Sequence, residues 1–309
     1  MSAALFDKVR ASAPVLLIGV GGMLYLAWAA VLNRLGIPHI DPPLADLDLT
    51  QPQTIARFVN ESCPLVINCA AYTDVDAAES HQAAAMAING IGVGDLACRC
   101  AETCTFLLHY STDYVFNGQA KRPYPVDEPR RPLNAYGHSK ARGERLIEKS
   151  GCEYLIIRTS WLYAPWGKNF VRTIAALAAQ RDSLKVVDDQ RGRPTSALHL
   201  ADASYELLQH NARGIYHVTD GGECSWFQFA RSIARLGGHR CRVDPCDTAQ
   251  FPRPARRPTY SVLDLSRTEA LIGPMPHWQA NLARVLRKLE SPPAPAAPPP
   301  KPVGAAAGV

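Results

Sequence analysis

Two residues in the stretch AYGHSK, Ala135 to Lys140, have the types and the spacing of a proton-transfer pair. Tyr136 and Lys140 stand four positions apart, so on a helix their side chains share one face. A lysine ammonium beside a tyrosine hydroxyl favours the phenolate and lowers its pKa, which lets the phenol relay a proton near neutral pH. Because Tyr-x-x-x-Lys is also common as a solvent-exposed pair, its setting in the chain has to decide between the two interpretations.

A third candidate, Thr112, lies in the stretch STDYVF, Ser111 to Phe116. It follows an apolar run typical of a strand, and open α/β sheets bind their ligands at the carboxyl ends of such strands. A hydroxyl at that position can hydrogen-bond the oxygen that Tyr136 serves. We therefore predict that Thr112, Tyr136 and Lys140 form one catalytic group.

A glycine-rich turn near the start of the chain favours this catalytic interpretation. In LLIGVGGMLYLAWAAVL, Leu16 to Leu32, Gly19 suits a sharp turn after a strand and Gly22 suits close approach of backbone amides to a pyrophosphate. The third glycine of such loops is missing, since Tyr25 stands at its place. A phenol there must point out beside the pyrophosphate or push the helix from the sheet, so we expect Tyr25→Gly to tighten cofactor binding.

An acidic residue follows the loop at the distance typical of dinucleotide sites. Asp41 lies about 20 residues further on, where a carboxylate can accept hydrogen bonds from the adenosine ribose and repel a ribose phosphate. This favours NADH or the use of both NADH and NADPH. An ordinary turn residue before Pro42 is the alternative interpretation of Asp41.

The elements that position these residues alternate between strands and helices. Predicted strands are Val15–Ile18, Ile37–Ile40, Leu65–Cys69, Thr105–Tyr110 and Tyr154–Arg158, and predicted helices are Met23–Leu35, Pro52–Asn60, Ala83–Glu102 and Tyr136–Ser150. This order predicts the α/β class, with a doubly wound, Rossmann-like parallel sheet. Later helical patterns at Phe170–Gln180, Thr195–Gln209 and Trp226–Leu236, with Pro-rich connections at 244–258, predict a smaller, mostly helical C-terminal substrate domain.

The same patterns give a domain division. Residues 13–165 form the predicted dinucleotide-binding domain, to which a segment near 185–220 returns, and residues 166–290 form mainly the substrate domain. The stretch 291–309 is rich in Pro, Ala and Gly, which predicts a disordered tail.

Composition excludes several classes of protein. The 309 residues are 47% hydrophobic, the net charge is only +5, and no run of Lys or Arg exceeds two residues, so a nucleic-acid partner is not expected. No signal peptide or membrane span is recognisable, and nine cysteines without a C-x-x-C pair are typical of reduced thiols, so we expect a cytoplasmic protein. His109, His138 and His217 lack ligand partners at suitable spacing; we interpret them as packing or surface residues and expect no metal site.

Several phrases, in a fixed order, together resemble one family. They are NCAAYTDVDAAE (68–79), YSTDYVFNG (110–118), YGHSK (136–140), RTSWLY (158–163), NF (169–170), DDQRGRPT (188–195), GIYHVTDGGECSW (214–226) and RPTYSVLD (257–264). From about Val15 to Trp278 the chain resembles the dTDP-4-dehydrorhamnose reductase family of extended short-chain dehydrogenases/reductases. The resemblance implies reduction of dTDP-4-dehydro-6-deoxy-L-mannose to dTDP-L-rhamnose by hydride from NADPH or NADH.

The resemblance also implies roles for individual residues. Tyr136 would donate the proton to the ketone oxygen, Lys140 would tune its pKa and bind the cofactor ribose, and Thr112 would adjust the pair. The implied cofactor contacts are Gly19, Gly22, Met23, Leu24, Asp41, Asp48, Leu49, Ala70, Ala71, Tyr72, Tyr110, Tyr136 and Lys140. The implied substrate contacts are Thr112, Asp113 and Trp161.

Binding of the sugar-nucleotide pyrophosphate calls for cations, and RPTYSVLD supplies Arg257 as the first candidate. The weaker candidates are Arg191, Arg193 and Arg256. Trp226 and Phe227 open an apolar helix, so we expect them in the core rather than as a platform for the nucleobase.

Two alternatives remain at this level. Tyr-x-x-x-Lys with NAD(P) also serves reductases and epimerases acting on other nucleotide sugars. A non-catalytic NAD(P)-binding regulatory subunit, like that of methionine adenosyltransferase, would tolerate the loss of the loop glycine at Tyr25 better than an enzyme would. The expected partner is a dTDP-hexulose substrate. We expect neither a nucleic-acid nor a membrane partner, and a homodimer is the assembly to be tested.

Overall fold

A six-stranded parallel sheet forms the centre of the chain, which a computed structural model describes over residues 14–290. Its strands lie in the order β10-β5-β4-β3-β1-β2. They are β1 (Val15–Ile18), β2 (His39–Ile40), β3 (Leu65–Asn68), β4 (Phe106–Thr112), β5 (Tyr154–Thr159) and β10 (Gly214–His217). The predicted strands are all present, with ends shifted by a few residues.

Helices cover both faces of this sheet, which confirms the doubly wound α/β class. On one face, α1 (Met23–Arg34) and α8 (Ala197–Gln209) bury residues such as Trp28 and Leu200. On the other, α2 (Pro52–Phe58), α5 (Val93–Glu102) and α6 (Ala135–Ser150) bury Ile55, Leu96 and Ile147. Strands β1, β3 and β4 are buried along their whole length, and all three begin with apolar runs, as expected for strands covered on both faces.

The predicted helix Ala83–Glu102 is interrupted, so this prediction was wrong in its continuity. Short helices α3 (Ala77–Ser80) and α4 (Gln82–Met86) lead into a wide π-helical turn, Ala87–Gly92, before α5 begins. Gly92 lies so close to the backbone of Leu49 that a Cβ atom would collide with it. The turn also places Asn89 to bind the backbone N–H and C=O of Tyr72, at 2.8 and 3.0 Å.

The second half of the chain has its own apolar cluster and several two-stranded pairs. Helices α7 (Phe170–Ala178), α9 (Trp226–Leu236) and α11 (Trp278–Glu290) enclose residues such as Phe229. The two-stranded pairs are β6 (Leu162–Tyr163) with β9 (Thr195–Ser196), β7 (Ser183–Val187) with β12 (Arg242–Cys246), and β8 (Arg191–Gly192) with β11 (Cys224–Ser225). Because Thr195 and Ser196 pair as a strand, the helix predicted from Thr195 begins at Ala197. The predicted tail, 291–309, lies outside the described residues.

Two segments of the second half depart from a purely helical C-terminal unit. Strand β10 pairs in parallel with β5, so this part of the chain contributes a strand to the central sheet. The Pro-rich connection 244–258 contains the end of β12 and a 3₁₀ turn, Thr248–Gln250, before α10 (Ser266–Ile272). Across residues 14–290, no helix has the length and apolar character needed to cross a membrane.

Candidate active site

A cleft of about 1050 Å³ opens where the central strands end. The sheet order places β2 and β3 on opposite sides of β1, so the chain leaves β1 and β3 in opposite directions. Such a switch point creates a crevice at the carboxyl edge of a sheet, where dinucleotides bind. The cleft is lined by the loop after β1, by the ends of β3, β4 and β5, and by α6 and α7.

The glycine loop after β1 has the backbone that a pyrophosphate requires. Gly19 adopts φ +108°, and a Cβ there would lie 2.8 Å from the backbone nitrogen of Ala70, so only glycine fits. Gly21 also has positive φ, and a Cβ on it would meet nothing within 4 Å. Gly22 is the N-cap of α1 and offers no side chain to cap the first N–H groups. These N–H groups therefore remain suited to an anion at the helix N-terminus, and the loop fits a dinucleotide.

Tyr25 does not line the cleft between residues 14 and 290, so it does not point out beside a pyrophosphate. Its ring is 8% exposed and belongs to the apolar cluster that also contains Trp28. Its hydroxyl donates a hydrogen bond to the carboxylate of Asp41. Burial and the Asp41 carboxylate raise the pKa of Tyr25 to about 12. The expected gain in affinity from Tyr25→Gly no longer follows, because glycine would remove buried apolar area and a hydrogen-bond donor.

Tyr136 lies in the first turn of α6, on the wall of the cleft. The side chain of Asn134 caps this helix by accepting a hydrogen bond from the Gly137 N–H at 2.8 Å. Thr112, the last residue of β4, lines the same cleft, and its nearby hydroxyl acts to lower the phenol's pKa. The predicted group of Thr112, Tyr136 and Lys140 is thus brought to one cleft.

The pKa of Tyr136 differs from the sequence expectation. Burial, followed by the nearby Asp113 carboxylate, raises it well above its usual value of 10.0, and the Thr112 contact offsets only part of this. The ammonium of Lys140 does not lower it, because Lys140 directs its Nζ at other groups in the described residues. The structure of residues 14–290 therefore does not show the lowered phenol pKa expected from the sequence.

Lys140 is 2% exposed and is held by two groups of β4. Its Nζ lies 2.5 Å from the Tyr110 carbonyl oxygen and 3.1 Å from Nε2 of His109. Burial lowers the pKa of Lys140 to about 8, while the Glu144 carboxylate acts in the opposite direction. Sequence reasoning assigned His109 to packing or the surface and missed this contact, for which the sequence gives no signal.

A chain of hydrogen bonds fixes which ring nitrogen of His109 carries the proton. Asn68 Oδ1 accepts from the Ala70 N–H at 3.0 Å, so its amide NH₂ faces Nδ1 of His109 at 3.1 Å. Nδ1 must then accept, and the proton of the neutral ring sits on Nε2, pointing at Lys140. Burial and Lys140 hold the pKa of His109 well below its usual value, so the ring stays neutral. An N–H aimed at Nζ favours the amine form of Lys140.

Asp113 presents a buried carboxylate to the cleft. It is 4% exposed, and burial raises its pKa to about 6, with the nearby Ser261 and Thr112 hydroxyls opposing the rise. Oδ1 accepts from the Thr112 hydroxyl at 2.9 Å. Within residues 14–290, Oδ2 lacks a hydrogen-bond partner of good geometry. A buried acceptor of this kind is suited to a hydroxyl of a bound ligand.

Trp161 and Trp226 form a stacked pair on the wall of the cleft. Their ring centroids lie 3.6 Å apart at an interplanar angle of 10°, and both residues line the cleft. Trp161 adopts φ +48°, and Gly192 leaves the space that its ring occupies. The expectation that Trp226 is only core was incomplete, since it packs against the core and also faces the cleft.

The four candidate arginines differ in their position relative to the cleft. Arg257 lines the cleft, where its guanidinium lies 2.9 Å from Asp76 and 5.9 Å from the Tyr114 ring centre. Arg191 pairs with Glu223 at 2.8 Å, whereas Arg256 is exposed. Arg193 lines a separate, smaller cavity, and burial lowers its pKa. Arg257 is therefore the candidate best placed for a phosphate in the cleft.

Most of the remaining predicted cofactor residues line the cleft. They are Gly19, Gly22, Met23, Leu24, Asp48, Leu49, Ala70, Ala71 and Tyr110. Asp41 and Tyr72 do not contribute to its wall as described between residues 14 and 290, although Pro42 and Ala71 beside them do. In that part of the chain, no cluster of three or more His, Cys, Asp or Glu is arranged to hold a metal ion.

Comparisons with known proteins identify the family of this chain. A family model described as the RmlD substrate binding domain matches residues 13–291. A curated dTDP-4-dehydrorhamnose reductase from Burkholderia thailandensis is 38% identical over 299 residues, covering 90% of this chain and 99% of the relative. The chain belongs to the dTDP-4-dehydrorhamnose reductase family.

Two further relatives of this family member extend the comparison. A dTDP-4-keto-6-deoxy-D-glucose reductase from Streptomyces niveus is 37% identical, over 89% of this chain and 97% of the relative. The crystal structure of dTDP-4-dehydrorhamnose reductase from Bacillus anthracis in complex with NADP superposes with a TM-score of 0.86 at 34% identity, over 90% of this chain and 99% of that chain. The Rossmann-like fold predicted from the sequence is confirmed at the level of the whole chain.

Proposed function

We propose that this chain reduces dTDP-4-dehydro-6-deoxy-L-mannose to dTDP-L-rhamnose with NADPH or NADH. The observation that carries the proposal is the convergence of Thr112, Asp113, Tyr136 and Lys140 on one cleft that begins at a dinucleotide-type glycine loop. Membership of the reductase family supports the same activity.

The chain's own residues divide the chemistry in a simple way. Reduction of a ketone needs a hydride at carbon, which a bound nicotinamide supplies, and a proton at oxygen. Tyr136 holds that proton at its hydroxyl. When the substrate binds, the Thr112 hydroxyl turns from Asp113 to the ketone oxygen and donates a hydrogen bond to it as negative charge develops. Lys140 binds the cofactor ribose, and it lowers the pKa of the phenol only once this contact turns its Nζ away from His109 and Tyr110. Asp113 accepts a sugar hydroxyl at its unpartnered Oδ2.

The predicted contacts follow the two ends of the cleft. Gly19, Gly22, Met23 and Leu24 hold the pyrophosphate of the cofactor at the start of α1. The rest of the cofactor contacts Asp41, Asp48, Leu49, Ala70, Ala71, Tyr72, Tyr110, Tyr136 and Lys140. On the substrate side, Trp161 contacts the sugar nucleotide and Arg257 its pyrophosphate.

The division of the chain is part of the proposal. Residues 13–165 and the segment near 185–220 bind NAD(P), and residues 166–290 bind mainly the substrate. The pairing of β10 with β5 supports the returning segment. We further propose a cytoplasmic enzyme whose second copy, if it dimerises, leaves this cleft open to both ligands.

A second candidate is reduction of a different 4-keto sugar nucleotide. This candidate is supported by the Streptomyces niveus relative, whose name gives dTDP-4-keto-6-deoxy-D-glucose as its substrate. A non-catalytic NAD(P)-binding subunit is less well supported, because it has no need of Tyr136 beside the buried Lys140 and Asp113 in one cleft.

The test follows the oxidation of NADH and NADPH by the purified chain with each 4-keto sugar nucleotide, and identifies the products by chromatography. The proposal expects turnover with dTDP-4-dehydro-6-deoxy-L-mannose at a kcat/KM at least about tenfold above that with the other ketones, a ratio equivalent to about 1.4 kcal/mol. Faster turnover of another ketone would identify that ketone as the substrate instead. Dinucleotide binding without turnover of any ketone would favour the non-catalytic regulatory subunit.

A further inference from the structure

The contact between Tyr25 and Asp41 joins a residue of the dinucleotide loop's helix to the acid after β2. Tyr25 lies in the first turn of α1, and its ring is buried with Trp28 in the core between α1 and the sheet. Its hydroxyl donates to Oδ2 of Asp41, which is otherwise an exposed side chain. A buried ring with little freedom therefore restrains a surface carboxylate.

Asp41 stands where the adenosine end of a dinucleotide would lie. It directly follows β2, which pairs with β1, the strand leading into the glycine loop. Pro42 and Leu44, its neighbours along the chain, line the cleft. With Oδ2 engaged by Tyr25, Oδ1 is left to accept a hydrogen bond from a ribose hydroxyl.

The surroundings of Asp41 carry no positive charge along the chain. Residues 36–56 contain Asp41, Asp46 and Asp48 and neither Lys nor Arg. Hydrogen bonds from Thr50 hold the pKa of Asp48 below its usual value, so it is ionised. The cations that line the cleft are Lys140 on α6, Lys185 on β7, and Arg253 and Arg257 between β12 and α10. A 2′-phosphate placed beside Asp41 would face negative charge.

We propose that Tyr25 is a specificity-determining residue, which fixes the Asp41 carboxylate at the adenosine ribose so that the chain binds NADH in preference to NADPH. Without the Tyr25 hydroxyl, the exposed carboxylate rotates away, so that both its hydrogen bond to the ribose and its repulsion of a 2′-phosphate weaken. The inference rests on the proposed function in one respect, since both place a dinucleotide in the same cleft. It does not require a sugar substrate.

The experiment measures dissociation constants of NADH and NADPH by fluorescence titration of the full chain. It uses the wild type, Tyr25→Phe, Asp41→Asn and the double variant. Tyr25→Phe keeps the ring and removes only the hydroxyl. Tyr205→Phe is the control, since Tyr205 is also 8% exposed in the same apolar cluster but lies on α8. Thermal unfolding monitored by circular dichroism checks that each variant is folded.

The wild type is expected to bind NADH at least about tenfold more tightly than NADPH, since one hydrogen bond gained and one charge repelled account for such a ratio. Tyr25→Phe should reduce this ratio by about threefold to tenfold, the range for one hydrogen bond to a charged group. Asp41→Asn should abolish the preference, and adding Tyr25→Phe to it should change nothing further.

Several results would overturn the inference. An unchanged ratio in Tyr25→Phe, or an equal change in Tyr205→Phe, would remove the role of the hydroxyl. Tighter binding of NADPH by the wild type would remove the proposed preference. Selective NADH binding by a chain that reduces no sugar nucleotide would leave this inference standing while the proposed function fails, so the two are distinguishable.

Discussion

Lys140 Nζ and His109 Nε2 lie 3.1 Å apart, with the ring proton of His109 pointing at the lysine. The Asn68 amide imposes this arrangement from the other side of the ring. Three buried side chains that do not adjoin in the sequence thus form one chain of contacts beside the proposed proton donor.

Asn68→Asp should reverse that arrangement. An aspartate at this position accepts from His109 Nδ1, so Nε2 becomes an acceptor that favours the Lys140 ammonium, and the added negative charge acts in the same direction. The pKa of Lys140 should rise above about 8. In the pH profile of kcat/KM for sugar reduction, the fall in rate at high pH should move to higher pH, and an unmoved profile would contradict the tautomer assignment.

Tyr136→Phe should lower kcat by about 10²- to 10⁴-fold, the usual contribution of a positioned general acid. The dissociation constants of NADH and NADPH should change little, because the ring remains. The matched control is Tyr114→Phe, since Tyr114 is a second half-buried tyrosine of the cleft, and its ring meets that of Tyr136 edge to face at 5.9 Å. Stopped-flow and steady-state kinetics measure both variants. Near-normal turnover in Tyr136→Phe would exclude it as the proton donor.

Arg257→Ala should raise the KM for the sugar nucleotide by about tenfold or more, the value of a lost hydrogen bond between charged groups, with a smaller effect on kcat. Its neighbour Arg256 is exposed and provides the control, for which Arg256→Ala should leave both constants nearly unchanged. Steady-state kinetics at saturating cofactor give the two constants. An unaltered KM in Arg257→Ala would mean that the arginine serves only its ion pair with Asp76.

Glu144→Gln should destabilise the fold by about 3–5 kcal/mol, because it leaves the fully buried Arg158 guanidinium without its charged partner. Urea denaturation measures this loss. Glu153→Gln is the control, since its pair with Arg213 at 3.8 Å is largely exposed and should be worth less than about 1 kcal/mol. Similar losses in the two variants would contradict the importance of burial.

The same carboxylate gives stability a defined pH dependence. The arginines around Glu144 lower its pKa from 4.5 to about 2 against the effect of burial. Its contribution is therefore complete above pH about 4.5 and is lost as the pH falls towards 2. In Glu144→Gln this part of the acid unfolding curve should be flatter, and an identical slope would assign acid sensitivity to other groups.

The sheet, the glycine turn and the common helix face of Tyr136 and Lys140 could be predicted from the sequence. These follow from local rules: buried parallel strands are continuous apolar runs, Gly19 stands at a turn of positive φ, and four-residue spacing places two side chains on one helix face. The interruption of the helix at Ala87–Gly92 was not predictable from the sequence, because Gly92 packs against the Leu49 backbone, which belongs to another part of the chain.

The pKa values and charge contacts of the site depend on residues that are distant in the sequence and meet only in the folded chain. The pKa of Tyr136 is governed by its burial and by Asp113, and Lys140 on α6 contacts His109 on β4. No spacing pattern in the sequence predicts either contact. The pairing of Trp161 with Trp226 joins residues of two separate elements. Tyr25 shows the difference most directly: the sequence shows that a glycine is missing, and only packing of α1 against the sheet brings the phenol to Asp41.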